Sequence, residues 1–235
     1  MHYQRLPGIP GSGGPGGGGG GGGTGLSIAA IPYNTGSAPG APWVGAGTYT
    51  VEFTVNGKAL SQRIAVKLDP RVRTPSVVMQ EVHTLSAASY YAAADAQVAL
   101  TQLAHARDQA RALQGQASGE VATALTAFAA QVDTLRGVDT TRVAGSGGGG
   151  GPGGFGGGPA FAPGSLSAAA QGLVQVMNSL QAADVPPTAN QRAAIEAARQ
   201  SAAQAMARWN ALKRVELAAL NLKLKAAGLA EVVVR

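Results

Sequence analysis

The sequence predicts an α+β, mainly α chain: an elongated antiparallel four-helix bundle, made of two helical hairpins, plus a small partial immunoglobulin-like β-hairpin or sandwich. Three observations predict it. A period-2 stretch over residues 47–68 is split by Asn56-Gly57, long heptad-spaced apolar seams follow from residue 78, and glycine is gathered into two tracts. Of 235 residues, 35 are Gly and none is Cys, and charged residues make up 13% against the roughly 25% usual for globular domains. These figures exclude a disulfide framework, a cysteine zinc site and a cysteine nucleophile.

The tracts 11–25 and 145–158 bring almost no side chains to offset the entropy that glycine loses on ordering. They are read as tethers. Their trivial GxGxxG matches follow no strand and precede no GK[ST], so no phosphate loop is expected. The resulting division is a disordered Gly-rich terminus (1–25), a partial β-sandwich (26–72) and a first helical hairpin (73–137). A Gly-rich linker (138–164), a second helical hairpin (165–230) and a tail (231–235) complete it.

Tyr49, Val51, Phe53 and Val55 alternate with Thr48, Thr50, Glu52 and Thr54. Asn56-Gly57 tolerates the positive φ of a type I′ turn, and Leu60, Ile64, Val66 and Leu68 alternate on the return. Pairing across that turn sets Phe53 opposite Leu60 and Tyr49 opposite Ile64, with both apolar sets on one face. A lone hairpin is marginal in water. Residues 26–31 (LSIAAI) offer one further strand, too few for a complete sandwich.

Thr74-Pro75 is read as a cap followed by a first helical residue. The first helix carries a seam at 78, 82, 85, 89, 92, 96, 99, 103, 106, 110 and 113, unusually rich in small side chains, so its partner helix should approach closely. Ser118 is expected to cap a second helix with the seam Val121, Leu125, Phe128, Val132 and Leu135, ended by Gly137. Ser165 opens a third with Leu166, Leu173, Met177 and Leu180. After Pro186-Pro187, Thr188 and Gln191 have capping-box spacing. The fourth helix is expected to run through Ile195, Ala198, Ala202, Ala205, Trp209 and Leu212, then Ala219 and Leu222, to a stop at Gly228.

No catalytic constellation emerges, so the chain is expected not to be an enzyme. Neither His83 nor His105 has a second His at i+3 or i+4, and His105 has only Asp108 at i+3, so no metal or other cofactor is expected and each reads as a His beside a carboxylate on a solvated helix. Asp95, Asp108, Asp133 and Glu196 read as partners in surface ion pairs. The serines lie outside any GxSxG elbow. Tyr90-Tyr91 is read as a packing contact. The net charge of +6 is concentrated in residues 144–235, which makes Arg208, Lys213, Arg214, Lys223 and Lys225 the candidates for polyanion contact. A solvated helix face is the simpler reading, and nucleic acid is a disfavoured partner because aromatics are not interleaved with these groups. Residues 1–10 hold no apolar run of the kind an export signal needs, and no stretch of 18 apolar residues suggests a membrane span.

Two stretches carry a resemblance. Gly47-Thr48-Tyr49-Thr50-Val51 through Asn56-Gly57, with Asp69-Pro70-Arg71-Val72, is one. The other is the cap at 186–191, the helix with Ala207-Arg208-Trp209-Asn210-Ala211-Leu212-Lys213, and Leu224 to Leu229. Together these resemble the C-terminal region of large exported bacterial proteins built on BNR-repeat (sialidase-like) or sortilin-type β-propellers, often classed as glycosyl hydrolases. The resemblance spans roughly residues 42–230. It implies a hairpin closing a small immunoglobulin-like domain, a helical tail with a Gly-rich insert, and an exported location. No S-x-D-x-G-x-T-W box occurs, so no propeller blade is present and no catalytic residue carries over. The chain is therefore expected to be a detached C-terminal portion acting as a non-catalytic accessory or interaction module. The alternatives are a component of a glycosyl hydrolase whose catalytic propeller is another polypeptide, and a polyanion-binding helical module. Expected partners are a propeller-bearing polypeptide, or a second copy through the sheet edge and helix seams.

Overall fold

The computed structural model describes residues 41–137 and 161–234. The Gly tracts and the strand expected over 26–31 lie outside the described residues. The order is β1 (Gly47–Val55), β2 (Lys58–Val66), α1 (Ser76–Gln114), α2 (Gly119–Arg136), α3 (Leu166–Leu180), α4 (Ala189–Leu212), a π-helical turn (Lys213–Leu217) and α5 (Ala218–Ala226). The chain is mainly helical with one small antiparallel sheet, as the periodicities require.

β1 and β2 pair with Phe53 opposite Leu60 and Tyr49 opposite Ile64. Asn56 (φ 51°) and Gly57 (φ 77°) both occupy the left-handed region, which makes the turn type I′. The sheet is incomplete among the described residues, as too few strands for a sandwich imply, and nothing there covers its apolar face. Val51, Phe53, Val55, Leu60 and Ile64 all remain exposed.

α1 is 39 residues long, about 58 Å at helical rise. It buries Val82, Ser89, Ala96, Ala99, Leu103, Ala106, Ala110 and Leu113 of the expected seam. Ser86, Tyr90 and Ala93 form a second buried stripe beside it, because α3 and α4 both pack against this helix. The alanines of α1 share one core with Ala169, Ala170 and Ala202 and with larger side chains such as Leu103, Leu173, Met177 and Trp209.

The two short helices do not lie side by side. α3 covers the first half of α1, where Val82 meets Leu180 and Ile195. α2 covers the second half, where Asp133 pairs with Arg107 and Arg111 and Thr126 faces Gln114. Gly137 ends α2 in the left-handed conformation (φ 80°) directly against Ser165, the residue that caps α3 through the Ala168 N–H. α2 and α3 thus share one position beside two long rods.

Three local expectations need correction. Thr74 does not cap α1. Pro75 is the capping residue, and the Thr74 hydroxyl donates instead to the Asp184 carbonyl. Ser118 stands at the α2 cap position without a side-chain cap hydrogen bond. The fourth seam does not continue through Ala219 and Leu222. The π-helical turn takes up one extra residue, so the buried face passes to Leu217, Leu220 and Leu224 while Leu222 is 72% exposed. A straight heptad continuation from Trp209 and Leu212 would place Glu216, Ala219 and Lys223 inward. Burying two unpaired charges costs far more than one irregular turn.

The Thr188–Gln191 capping box forms with both bonds present. Trp209 is fully buried and its indole N–H donates to Gln102 Oε1 at 3.2 Å. Beyond α5, the Leu229 N–H returns to the Leu224 carbonyl and the Gly228 N–H to that of Lys225, a Schellman stop. The expected tail is pinned rather than loose. Asn221 brackets Val232 at 2.9 and 3.0 Å, and Gln109 brackets Val233 at 3.0 and 2.8 Å, each amide acting as a strand partner.

Candidate functional site

Among the described residues a concavity lies where the base of the hairpin meets the helices. Residues 43–46 and 66–69 form one wall, the first three turns of α1 the second, and Leu180, Gln181, Ala183 and Asp184 the third. Its volume is about 560 Å³, within the range of small-molecule sites.

The wall is positioned by the peptide groups of Trp43. Its N–H donates to Gln181 Oε1 at 2.6 Å, and its carbonyl accepts from His83 Nδ1 at 2.9 Å. A carbonyl only accepts, so His83 carries a proton on Nδ1. The Tyr49 hydroxyl donates to the Gly45 carbonyl at 2.7 Å and closes the strand entry. At the rim, Arg71 donates to both oxygens of Asp69, and these hydrogen bonds hold the Asp69 carboxyl below its usual range. Below the cleft, Arg192 of α4 grips both oxygens of Glu81 of α1 and depresses that carboxyl in the same way.

Trp43, Tyr49, Leu68, Met79, Val82 and Leu180 give the cleft its apolar surface. Two lining side chains carry buried polar atoms without hydrogen-bond partners, Ser86 Oγ and Gln181 Nε2. Because Ser86 Oγ has no partner, it forms no bond with His83 one helical turn earlier. A base-activated serine is not assembled here. Among the described residues no group of three His, Cys, Asp or Glu could hold a metal ion.

The residues expected to contact a polyanion are not brought together. Arg208 donates to the Gly164 carbonyl at 3.3 Å, and Lys213 lies 5.0 Å from the centroid of the Trp209 ring. Arg214 returns to the Asn210 carbonyl at 3.3 Å, and Lys223 borders a shallow hollow that also contains Glu216. Lys225 is exposed, two residues and about 200° of helix from Lys223.

Two readings of single residues change. Asp133 is not a surface partner. Its side chain is 13% exposed and lies within 4 Å of Arg107, Arg111 and Arg136, so it ties α1 to α2. His83 is not on a solvated face but half-buried in the cleft wall. Tyr90 and Tyr91 make the expected packing contact, edge to face at 5.4 Å, with Tyr90 buried. The cleft itself escapes the sequence because its walls are up to about 140 residues apart. Only Ser86, a buried serine in the stripe beside the apolar seam, marks polarity there.

No helix of the described residues is long and apolar enough to cross a membrane. Comparison with family models, with curated proteins and with solved structures gave no match in any of the three.

Proposed function

We propose that this chain is a non-catalytic protein-contact module in which a rigid helical body presents a two-stranded hairpin to a β-rich partner. The carrying observation is the hairpin's one-sided apolar face. Val51, Phe53, Val55, Leu60 and Ile64 stand exposed on it, and both strand edges are unpaired within the described sheet.

Magnitude selects the kind of partner. Nine residues per strand give about 30 Å of length, and two strands about 10 Å of width, so the face covers roughly 300 Å². Two such faces pressed together would bury about 600 Å², half the lower bound of roughly 1,200 Å² for a specific stable interface. A second copy is therefore a poor occupant. A partner that adds strands along the free edges as well as covering the face gains main-chain hydrogen bonds in addition. The likeness of residues 47–72 and 186–229 to propeller-associated tails supports a propeller-bearing polypeptide as that partner, with any glycoside chemistry residing on it.

Amide hydrogen exchange tests this. Mixing the chain with a propeller-bearing polypeptide should slow exchange across 47–66 and leave α1 to α5 unchanged. Protection confined to the helices, or none, overturns the proposal, as does turnover of polysaccharide or sialoside by the chain alone.

A further inference from the structure

We propose that the cleft between the hairpin base and the first turns of α1 is a binding site for an uncharged carbonyl-bearing ligand with an apolar arm, such as an acyl amide or a capped peptide. This stands apart from the hairpin face and needs no partner protein.

The donors come first. Gln181 presents its amide with a fixed orientation, because the Trp43 N–H at 2.6 Å can be met only by Oε1. Nε2 then faces the other way, buried and without a partner. Ser86 is 1% exposed, lines the same cleft, and its Oγ is likewise unpaired. An unpaired buried donor forfeits its hydration with nothing in return, so each is a standing cost that a ligand acceptor relieves. A carbonyl oxygen has two lone pairs and accepts from both an amide N–H and a hydroxyl.

The surroundings set the rest of the ligand. Trp43, Tyr49, Leu68, Met79, Val82 and Leu180 offer an apolar bed for an alkyl or aromatic arm. The charges bordering the cleft are balanced. Asp69 is engaged by Arg71, and Lys67 is offset by Asp184. A formally charged ligand would lose its much stronger hydration here without a net opposing charge, whereas a neutral amide loses far less and its carbonyl regains hydrogen bonds from the two donors. The volume of about 560 Å³ accommodates a group of this size.

The test uses the full chain, labelled with nitrogen-15, and hexanamide as probe, with hexanoate and hexylammonium for comparison. Hexanamide should shift the Gln181 side-chain NH2 pair and the Ser86 amide in a saturable manner. Ser86→Ala removes one of the two donors and favours the helix, so it should fold and weaken hexanamide binding about three- to ten-fold. Both charged analogues should bind more weakly than hexanamide. The proposal is overturned if hexanamide leaves these resonances unmoved, if hexanoate or hexylammonium binds as well, or if Ser86→Ala binds undiminished. None of these results bears on protection of residues 47–66, so the two proposals fail separately.

Discussion

Deleting Val215 from the middle of the long α4–α5 rod should leave the protein folded and nearly as stable as before. Removing a residue from a regular α-helix turns everything beyond it by about 100° and draws it in by about 1.5 Å. Here the deletion removes the extra residue of the π-helical turn Lys213–Leu217. The spacing from Leu212 to Leu217 shortens from five to four, and Leu217, Leu220 and Leu224 fall into ordinary heptad register with Trp209 and Leu212. Val215 is itself 61% exposed, so little packing leaves with it. The expected change is within about 1 kcal/mol, or roughly 2–4 °C in a chain of this length. Were the rod a straight helix, the same deletion would swing three leucines of 7%, 3% and 0% exposure out of the core. Truncating one buried leucine costs about 2–5 kcal/mol, so the loss would rival a whole domain's stability of roughly 5–15 kcal/mol. Deletion of Ala203, exposed in regular α4, is the control, since it rotates Ile195 and Ala202 away from the core. Thermal unfolding followed by far-ultraviolet circular dichroism decides the matter. If loss of Val215 lowers the midpoint as much as loss of Ala203, the account of the π-helical turn is wrong.

Two further outcomes follow from local geometry. Gly137→Ala should destabilise by about 2 kcal/mol or more beyond Gly228→Ala, measured by urea unfolding, because both sites have positive φ but only the Gly137 Cβ would meet another side chain, 2.6 Å from Ser165 Cβ. The Glu81–Arg192 pair gives a pH dependence. Arg192 lowers the Glu81 pKa in the folded state, so its contribution is present above the unfolded-state value and fades as pH falls through the folded one, on the acid side of the ordinary glutamate range. Glu81→Gln should flatten that part of the acid-unfolding curve, and an unchanged slope there would refute the role given to the pair.

Much of the fold was legible because its signals are local. A type I′ turn needs two residues tolerant of positive φ, and Asn56-Gly57 supplies them, so strand register followed by counting. The Thr188–Gln191 box and the left-handed Gly137 stop are equally short-range. The seam failed at the fourth helix because a fixed 3–4 spacing was carried across Leu212. The five-residue gap to Leu217, with Glu216 and Lys223 at the straight-helix positions, was the available signal. The expected pairing of Asp133 at the surface failed for a different reason. Its partners lie on α1, and only packing could say that Arg107, Arg111 and Arg136 enclose it.

By itself the sequence determined the hairpin and its turn, the helical segments and the apolar stripe of each helix as far as Leu212, because all these depend on neighbours within a few residues. Only the tertiary structure decided that α2 and α3 follow one another beside the two long rods, that no other described residue covers the face of the hairpin, and that Trp43, Ser86 and Gln181 meet around one cleft. Those facts depend on which apolar stripes find each other across a hundred residues or more, and a stripe of alanine fits almost any other until volumes and buried charges are compared.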